Sequence, residues 1–139
     1  MTTREFFEIV AAHLTDSGVL TINTASVPGD RRLINGLATT IATVFPSVYI
    51  MDIPGTLNTM IFATMRPTTA ANFAQNLVDL SQDPSTPPLL LTAMQTTFAN
   101  LQPGYETTLV FTDDRAPIEW IVNDMVIRFV VGGGTEMLR

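Results

Sequence analysis

Residues 47–65 read SVYIMDIPGTLNTMIFATM, and this stretch decides the fold. Residues 47–53 are rich in β-branched and aromatic side chains, which is typical of a strand, and residues 59–65 predict a second strand. The residues between them, PGTLN, combine proline, glycine and asparagine, which favour a turn. Two strands joined by so short a connection predict an antiparallel β-hairpin.

A helix, a tight turn and a strand precede the hairpin. Thr2 and Glu5 predict a capping box that opens a helix over residues 3–14, whose apolar side chains recur at helical spacing. Residues 16–18, DSG, predict a turn that ends this helix. Residues 19–22, VLTI, then predict a short and largely buried strand. A helix followed by such a strand is typical of an α/β unit.

A second helix leads from this strand to the hairpin. Asp30 is predicted to cap it, and Pro46 is predicted to stop it after Phe45. Its apolar side chains form one broad face. They are Leu33, Ile34, Leu37, Ala38, Ile41, Val44 and Phe45.

The rest of the chain is predicted to be mainly helical. Residues 70–80 and 88–98 predict two helices, separated by a polar, proline-rich loop. Asp113 and Asp114 are predicted to cap a last helix that runs towards Phe129. We expect one domain over residues 1–139. Its parts are an α/β core (3–67), a variable helical segment (68–104), the last helix with its preceding motif (105–131) and a flexible tail (132–139).

The composition excludes several classes of function. The chain of 139 residues is 46% hydrophobic and 14% charged, so it is too apolar for a disordered chain. Its net charge is −6, so a nucleic-acid partner is not expected. It contains neither a signal-peptide pattern nor an apolar run of membrane-helix length, so we expect a cytoplasmic protein without a membrane partner.

The same counts limit the chemistry. All seven basic residues are arginine, which excludes a Schiff-base lysine and a phosphate-loop lysine. The absence of cysteine excludes thiol nucleophiles, zinc thiolates and disulfides. His13 is the only histidine, so neither a histidine-rich metal site nor a Ser-His-Asp triad is expected.

Three segments carry a resemblance to a known family. They are REFFEIVAAHLTDSGVLTINTA (4–25), DRRLINGLATTIATVFPSVYIMDIPGTLNTMIFAT (30–64) and FTDDRAPIEW (111–120). In order and content they resemble the C-terminal half of spermidine synthase-like proteins, which are polyamine aminopropyltransferases with the class I AdoMet-dependent methyltransferase fold. The TDD-x-AP-[IV]-E string is the most specific part of the resemblance.

The resemblance implies a fold and a limit on activity. It implies a partial Rossmann-like sheet of about three strands that ends in an antiparallel hairpin, flanked by helices, with further helices at the C-terminal end. In this family the glycine-rich nucleotide loop, the acidic ribose ligand and the catalytic aspartate all precede the part that corresponds to Thr3. The sequence contains no GxGxxG. We therefore expect half of an enzyme, inactive alone, with no catalytic residue and no bound cofactor, whereas the complete fold would use decarboxylated AdoMet or AdoMet.

The candidate binding residues fall into two groups. Ligands of open α/β sheets bind beyond the carboxyl ends of the strands, so polar residues after the first strand are expected to face that crevice. The resemblance adds the acids of the TDD-x-AP-[IV]-E string. The six candidates are Asn23, Thr24, Ser26, Asp113, Asp114 and Glu119. Structural roles compete in each case, because the first group suits loop hydrogen bonds and the second suits helix capping and the helix dipole.

If the chain contains only half of a larger sheet, this predicts its partners and leaves two alternative functions open. A strand over residues 19–24 cut from a larger sheet would be an unpaired, apolar edge, so we expect a homodimer or a higher homo-oligomer. A polyamine or an AdoMet-type molecule is the expected ligand in the full-length context. One alternative is a non-catalytic oligomerisation or binding module derived from this fold. Another is the C-terminal half of an AdoMet-dependent methyltransferase.

Overall fold

The structure is a computed structural model that describes residues 2–133. Within these residues the chain forms five helices and three strands, so it is a mixed α/β fold. The elements in chain order are α1 (Arg4–Ala12), β1 (Val19–Ala25), α2 (Arg32–Ile41), β2 (Ser47–Asp52), β3 (Asn58–Thr64), α3 (Ala70–Gln82), α4 (Pro88–Asn100) and α5 (Ile118–Val131).

The three strands form one sheet in the order β1-β3-β2. The predicted hairpin is confirmed, because β2 pairs with β3 in an antiparallel register that places Ile50 opposite Ile61. Strand β1 also pairs with β3 in an antiparallel manner, with Ile22 opposite Ile61. Both outer strands are antiparallel to the central one, so they run parallel to each other. Helix α2 connects them, which makes a split β-α-β arrangement with β3 inserted between the two outer strands.

Strand β1 differs from the prediction in burial and in pairing. It pairs along its whole length with β3, so it is not an unpaired strand, although its other side is a free edge in the described part of the chain. Its residues alternate between exposed and half-buried, and Val19 is exposed. The prediction of a largely buried strand was wrong because α2 covers the inner face closely, whereas the α3–α4 hairpin on the outer face leaves Val19 exposed. The run VLTI suited two buried faces equally well.

Helix α2 is the centre of the core. All its residues from Leu33 to Ile41 are buried. It packs on the inner face of the sheet, where Ile50, Ile61 and Ala63 are also buried. Helix α2 ends at Ile41, earlier than predicted, and the chain continues through a turn that still buries Phe45. Phe7 of α1, Phe111, and Ile121 and Met125 of α5 complete the cluster.

Helices α3 and α4 form a hairpin against the outer face of the sheet. Both predicted helices are confirmed, and each extends two residues further at its C-terminal end than predicted. Phe73 and Phe98 stack between them, with ring centroids 6.1 Å apart. No residue of either helix is buried. The hairpin therefore rests on the sheet without adding to the main core.

Helix α5 begins differently from the prediction. It starts at Ile118 after Pro117, with no side-chain cap. The turn over residues 112–115 precedes it, and the Asp113 carboxylate accepts a hydrogen bond from Thr3 Oγ1 at 2.6 Å. The predicted capping of this helix by Asp113 and Asp114 was therefore wrong, because the Asp113 side chain is taken up by a tertiary contact with the start of α1.

The start of α1 also differs by one residue. Thr3, rather than Thr2, is the N-cap, and its hydroxyl accepts a long hydrogen bond of 3.4 Å from the Phe6 N–H. Glu5 accepts a hydrogen bond from the Asp113 N–H instead of closing a capping box. No described helix is long and apolar enough to cross a membrane. From position 134 onward the predicted flexible tail lies outside the described residues.

Candidate binding cleft

An open cleft of about 1170 Å³ lies beyond the carboxyl ends of β1 and β2. One wall is the loop that follows β1, and the other is the segment after α4, where the Gln102 N–H donates to the Ile50 carbonyl at 2.8 Å. The charged and polar side chains that line it are Ser26, Asp30, Arg31, Arg32, Asn35, Asp52, Thr56, Gln102, Tyr105, Glu106, Thr108 and Arg128. The cleft is in the position where open α/β sheets bind their ligands.

Of the first group of candidates, only Ser26 lines the cleft. Its N–H donates to the Leu57 carbonyl at 2.8 Å, which holds the loop after β1 to the turn of the hairpin. Thr24 pairs with Thr59 in the sheet, so its side chain lies on the inner face, and it does not line the cleft. Asn23 pairs with Met60 and is exposed on the outer face. Because successive side chains of a strand point to opposite faces of the sheet, Asn23 and Thr24 lie on different faces.

None of the second group lines the cleft. Asp113 binds the start of α1, Asp114 lies in the exposed turn before α5, and Glu119 is exposed in the first turn of α5. The structure does not bring the six candidates together. The TDD-x-AP-[IV]-E string acts within the described residues as a structural link between α1 and α5.

Asp52 and Arg31 form a fixed pair in the floor of the cleft. Arg31 Nη1 donates to Asp52 Oδ2 at 2.9 Å, and Thr59 Oγ1 donates to Asp52 Oδ1 at 2.6 Å. Both carboxylate oxygens are therefore occupied. Arg31 Nη2 is the one buried side-chain nitrogen or oxygen for which the described residues provide no hydrogen-bond partner. This nitrogen is therefore a hydrogen-bond donor at the cleft that the described residues leave unused.

Arg32 joins two carboxylates, those of Asp30 and Asp124, beside the cleft. Its Nε donates to Asp30 Oδ1 at 2.9 Å, and its Nη2 donates to Asp124 Oδ2 at 2.6 Å. Arg128 Nε also donates to Asp124, at 2.8 Å. The bonds from Arg32 hold the pKa of both carboxyls, Asp30 and Asp124, below the ordinary value. The Arg32 guanidinium also lies 5.6 Å from the centroid of the Trp120 ring, so it ties α5 to the start of α2.

Asn35 is the polar side chain best placed to receive a ligand. It projects from the first turns of α2 and lines the cleft, although only 7% of its surface is exposed. Its side-chain amide makes no hydrogen bond with any residue in the described range 2–133. A primary amide can both donate and accept, so it can bind an amine, a hydroxyl or a carbonyl.

Tyr105 and Glu106 form the opposite rim. Burial raises the pKa of the Tyr105 hydroxyl, and its ring gives the cleft a half-buried aromatic wall. Glu106 is exposed and has no salt-bridge partner among the residues that the structure describes, unlike Asp30 and Asp52. It is therefore the carboxylate of the cleft that is free to meet a cation.

Asp30 and Asp124 are poorly suited to act as a general base. A general base must accept a proton, and carboxyls whose pKa is lowered by arginine, such as Asp30 and Asp124, are weak bases. The described residues also contain no group of three or more histidines, cysteines or acids that could hold a metal ion.

Sequence reasoning missed Asn35, Asp52, Tyr105 and Glu106. Asn35 gave no signal in the sequence, because it lies beside Thr39 on the side of α2 away from the apolar face. Tyr105 and Glu106 lie in an irregular segment and carried no periodic pattern.

No known family profile matches the chain, and neither a curated protein nor a solved structure matches it.

Proposed function

We propose that the chain is the C-terminal portion of a spermidine synthase-like aminopropyltransferase, and that its cleft binds the polyamine or the AdoMet-type ligand. Three observations support the proposal. The sequence resembles spermidine synthase-like proteins, the sheet ends in an antiparallel hairpin, and the cleft lies beyond the carboxyl ends of β1 and β2. On this proposal the sheet is the C-terminal part of a Rossmann-like, methyltransferase-type sheet. The isolated chain does not transfer an aminopropyl group.

The observation that carries the proposal is the free amide of Asn35. Among the described residues only Arg31 Nη2 is a buried side-chain nitrogen or oxygen without a partner, so the polar atoms of the Asn35 side chain are open to the cleft rather than enclosed. Asn35 has no partner among the described residues and faces the cleft. A ligand with a hydrogen-bonding group at this position would supply the missing bond.

The charges of the cleft fit an amine. Asp30 and Asp52 are each neutralised by an arginine, whereas Glu106 is not. A polyamine ammonium would meet Glu106, the Asn35 carbonyl oxygen and the face of the Tyr105 ring. The cleft thus offers the carboxylate and the aromatic wall that cation recognition requires.

Catalysis needs more than this. In the proposed reaction the acceptor amine loses a proton to a base and attacks the aminopropyl carbon next to the sulfonium of decarboxylated AdoMet. The bond from that carbon to sulfur breaks, and the neutral thioether leaves with the electron pair. Because the amine must lose its proton, a base must lie beside it. Asp30 and Asp52 are held by arginines, and the sequence has no glycine-rich nucleotide loop. These groups must come from outside this chain.

Calorimetric titration of Asn35→Ala tests the proposal. We expect the wild-type chain to bind putrescine, and Asn35→Ala to bind it about 10–100-fold more weakly, since a hydrogen bond to a charged group is lost. Asn23→Ala is the matched control, because Asn23 lies on the outer face of the sheet and should leave affinity unchanged. Since the Asn35 amide has no hydrogen-bond partner within residues 2–133, the free energy of unfolding should not fall in either variant.

Three results would contradict the proposal: no binding of putrescine by the wild-type chain, equal affinities in the two variants, or spermidine formation by the purified chain. Strong binding of AdoMet without binding of putrescine would instead favour the methyltransferase alternative.

A second candidate function is self-association, and a stripe on α5 favours it. The stripe consists of exposed apolar residues at helical spacing, namely Trp120, Val126, Ile127, Val130 and Val131. Such a surface on a small domain typically marks an interface. We propose that two copies pack these stripes against each other in a symmetric dimer.

The dimer is tested by measuring the oligomeric state of two glutamate variants with light scattering and sedimentation. Ile127 and Ile9 are both 61% exposed, but only Ile127 belongs to the stripe. We expect Ile127→Glu to be monomeric, because a charge would be buried at the interface, and Ile9→Glu to remain dimeric. A wild-type chain that is monomeric at micromolar concentration would exclude the dimer.

A further inference from the structure

A second pocket lies on the opposite side of the sheet from α2. It has a volume of about 370 Å³ and separates the outer face of the sheet from the α3–α4 hairpin. Its apolar walls include Val19 and Phe62 from the sheet, Phe73 from α3, and Ala93 and Met94 from α4. None of its lining residues belongs to the cleft.

The chemistry of this pocket is the reverse of that of the cleft. No charged side chain lines it among the residues described, whereas arginines and acids line the cleft. The hydroxyl of Tyr49 is already used, because it donates to the Thr68 carbonyl at 2.5 Å. A charged ligand would lose its hydration here without finding a counter-charge.

The packing of the hairpin points the same way. Proteins normally fill the space between packed elements and leave few voids larger than a water molecule. Helices α3 and α4 have apolar side chains on the side facing the sheet, yet no residue of either helix is buried. Water gains few hydrogen bonds against such walls, so an apolar molecule would fill the space more favourably.

We infer that this pocket binds a small, uncharged, largely apolar molecule. Its volume falls at the lower end of the range of about 300–1,000 Å³ that small-molecule sites occupy. An α-helix is about 10 Å wide with its side chains and needs a longer groove, so a small molecule fits better than a partner helix. The site is independent of the proposed aminopropyltransferase function, since it lies on the other face of the sheet.

Fluorescence titration with N-phenyl-1-naphthylamine, a neutral apolar probe, tests the inference on the full chain. Ala93→Phe places a phenyl ring in the pocket and is expected to abolish the fluorescence enhancement that the wild-type chain gives. Ala99→Phe is the matched control, because Ala99 is exposed on the same helix outside the pocket, and it should bind the probe like the wild type. Circular dichroism checks that each variant retains the helices.

A second, smaller substitution tests the inference even if Ala93→Phe does not fold. Thr97→Leu narrows the same pocket with a smaller change and should weaken binding of the probe. Absence of binding by the wild-type chain, or equal binding by all three variants, would overturn the inference.

Discussion

Replacing Phe111 with alanine is expected to lower the free energy of unfolding by about 3–5 kcal/mol. Phe111 is only 2% exposed, although it lies in a segment without regular secondary structure. Its ring packs on Gly36 of α2, and its N–H donates to Thr40 Oγ1 at 2.9 Å. Its carbonyl accepts from the Arg4 N–H at 2.8 Å. This single residue therefore joins α1 and α2 to the segment that leads into α5.

Urea denaturation measures the effect, with Leu109→Ala as the control. Leu109 is two residues away in the same segment but is 39% exposed, so its truncation should cost less than about 1 kcal/mol. Hydrogen exchange at the Arg4 and Phe111 amides would show whether α1 loosens together with the segment. A cost for Phe111→Ala no larger than that for Leu109→Ala would mean that the ring is not part of the core.

The parts of the fold that sequence could predict are those with local causes. The hairpin follows from the pattern of residues 47–65 and was predicted with nearly correct bounds, whereas α2 follows from its apolar face but ends four residues before the predicted Phe45. The helices α3 and α4 were also predicted, the second from the proline in its first turn, Pro88, and the structure adds that Thr69 forms a capping box with Asn72 at the start of α3. Each of these signals lies within a few residues of the element that it specifies.

The errors have long-range causes. Asp113 has the residue type of a helix cap, but its carboxylate binds Thr3, which is 110 positions away in the chain. The exposure of Val19 depends on which face of the sheet a helix covers. The cleft likewise joins the loop after β1 to Tyr105 and Glu106, so no local pattern could predict more of it than Ser26.

Gly36 shows how a long-range contact leaves a local trace. A glycine in the interior of a helix is unfavourable, so its presence indicates close packing at that position. A Cβ atom at Gly36 would lie 2.2 Å from Phe111 Cζ. The sequence reveals that something approaches α2 there, but not that the approaching residue is Phe111.

Gly36→Ala is expected to lower the free energy of unfolding by about 1–3 kcal/mol, even though alanine raises helix propensity by about 1 kcal/mol. The Cβ would overlap the Phe111 ring, whose next two atoms are 2.9 and 3.0 Å away. The ring is fully packed, so it cannot move aside without cost. Gly104→Ala is the control, because a Cβ there has nothing within 4 Å.

The decisive measurement is the double-mutant cycle of Gly36→Ala with Phe111→Ala. Once the ring is gone, the Cβ at position 36 has space, so Gly36→Ala should become neutral or stabilising in that background through helix propensity alone. The same cost in both backgrounds would show that the glycine is required for another reason. A change of sign would show that Gly36 exists to let Phe111 reach α2, since only the removal of its neighbour turns an unfavourable substitution into a favourable one.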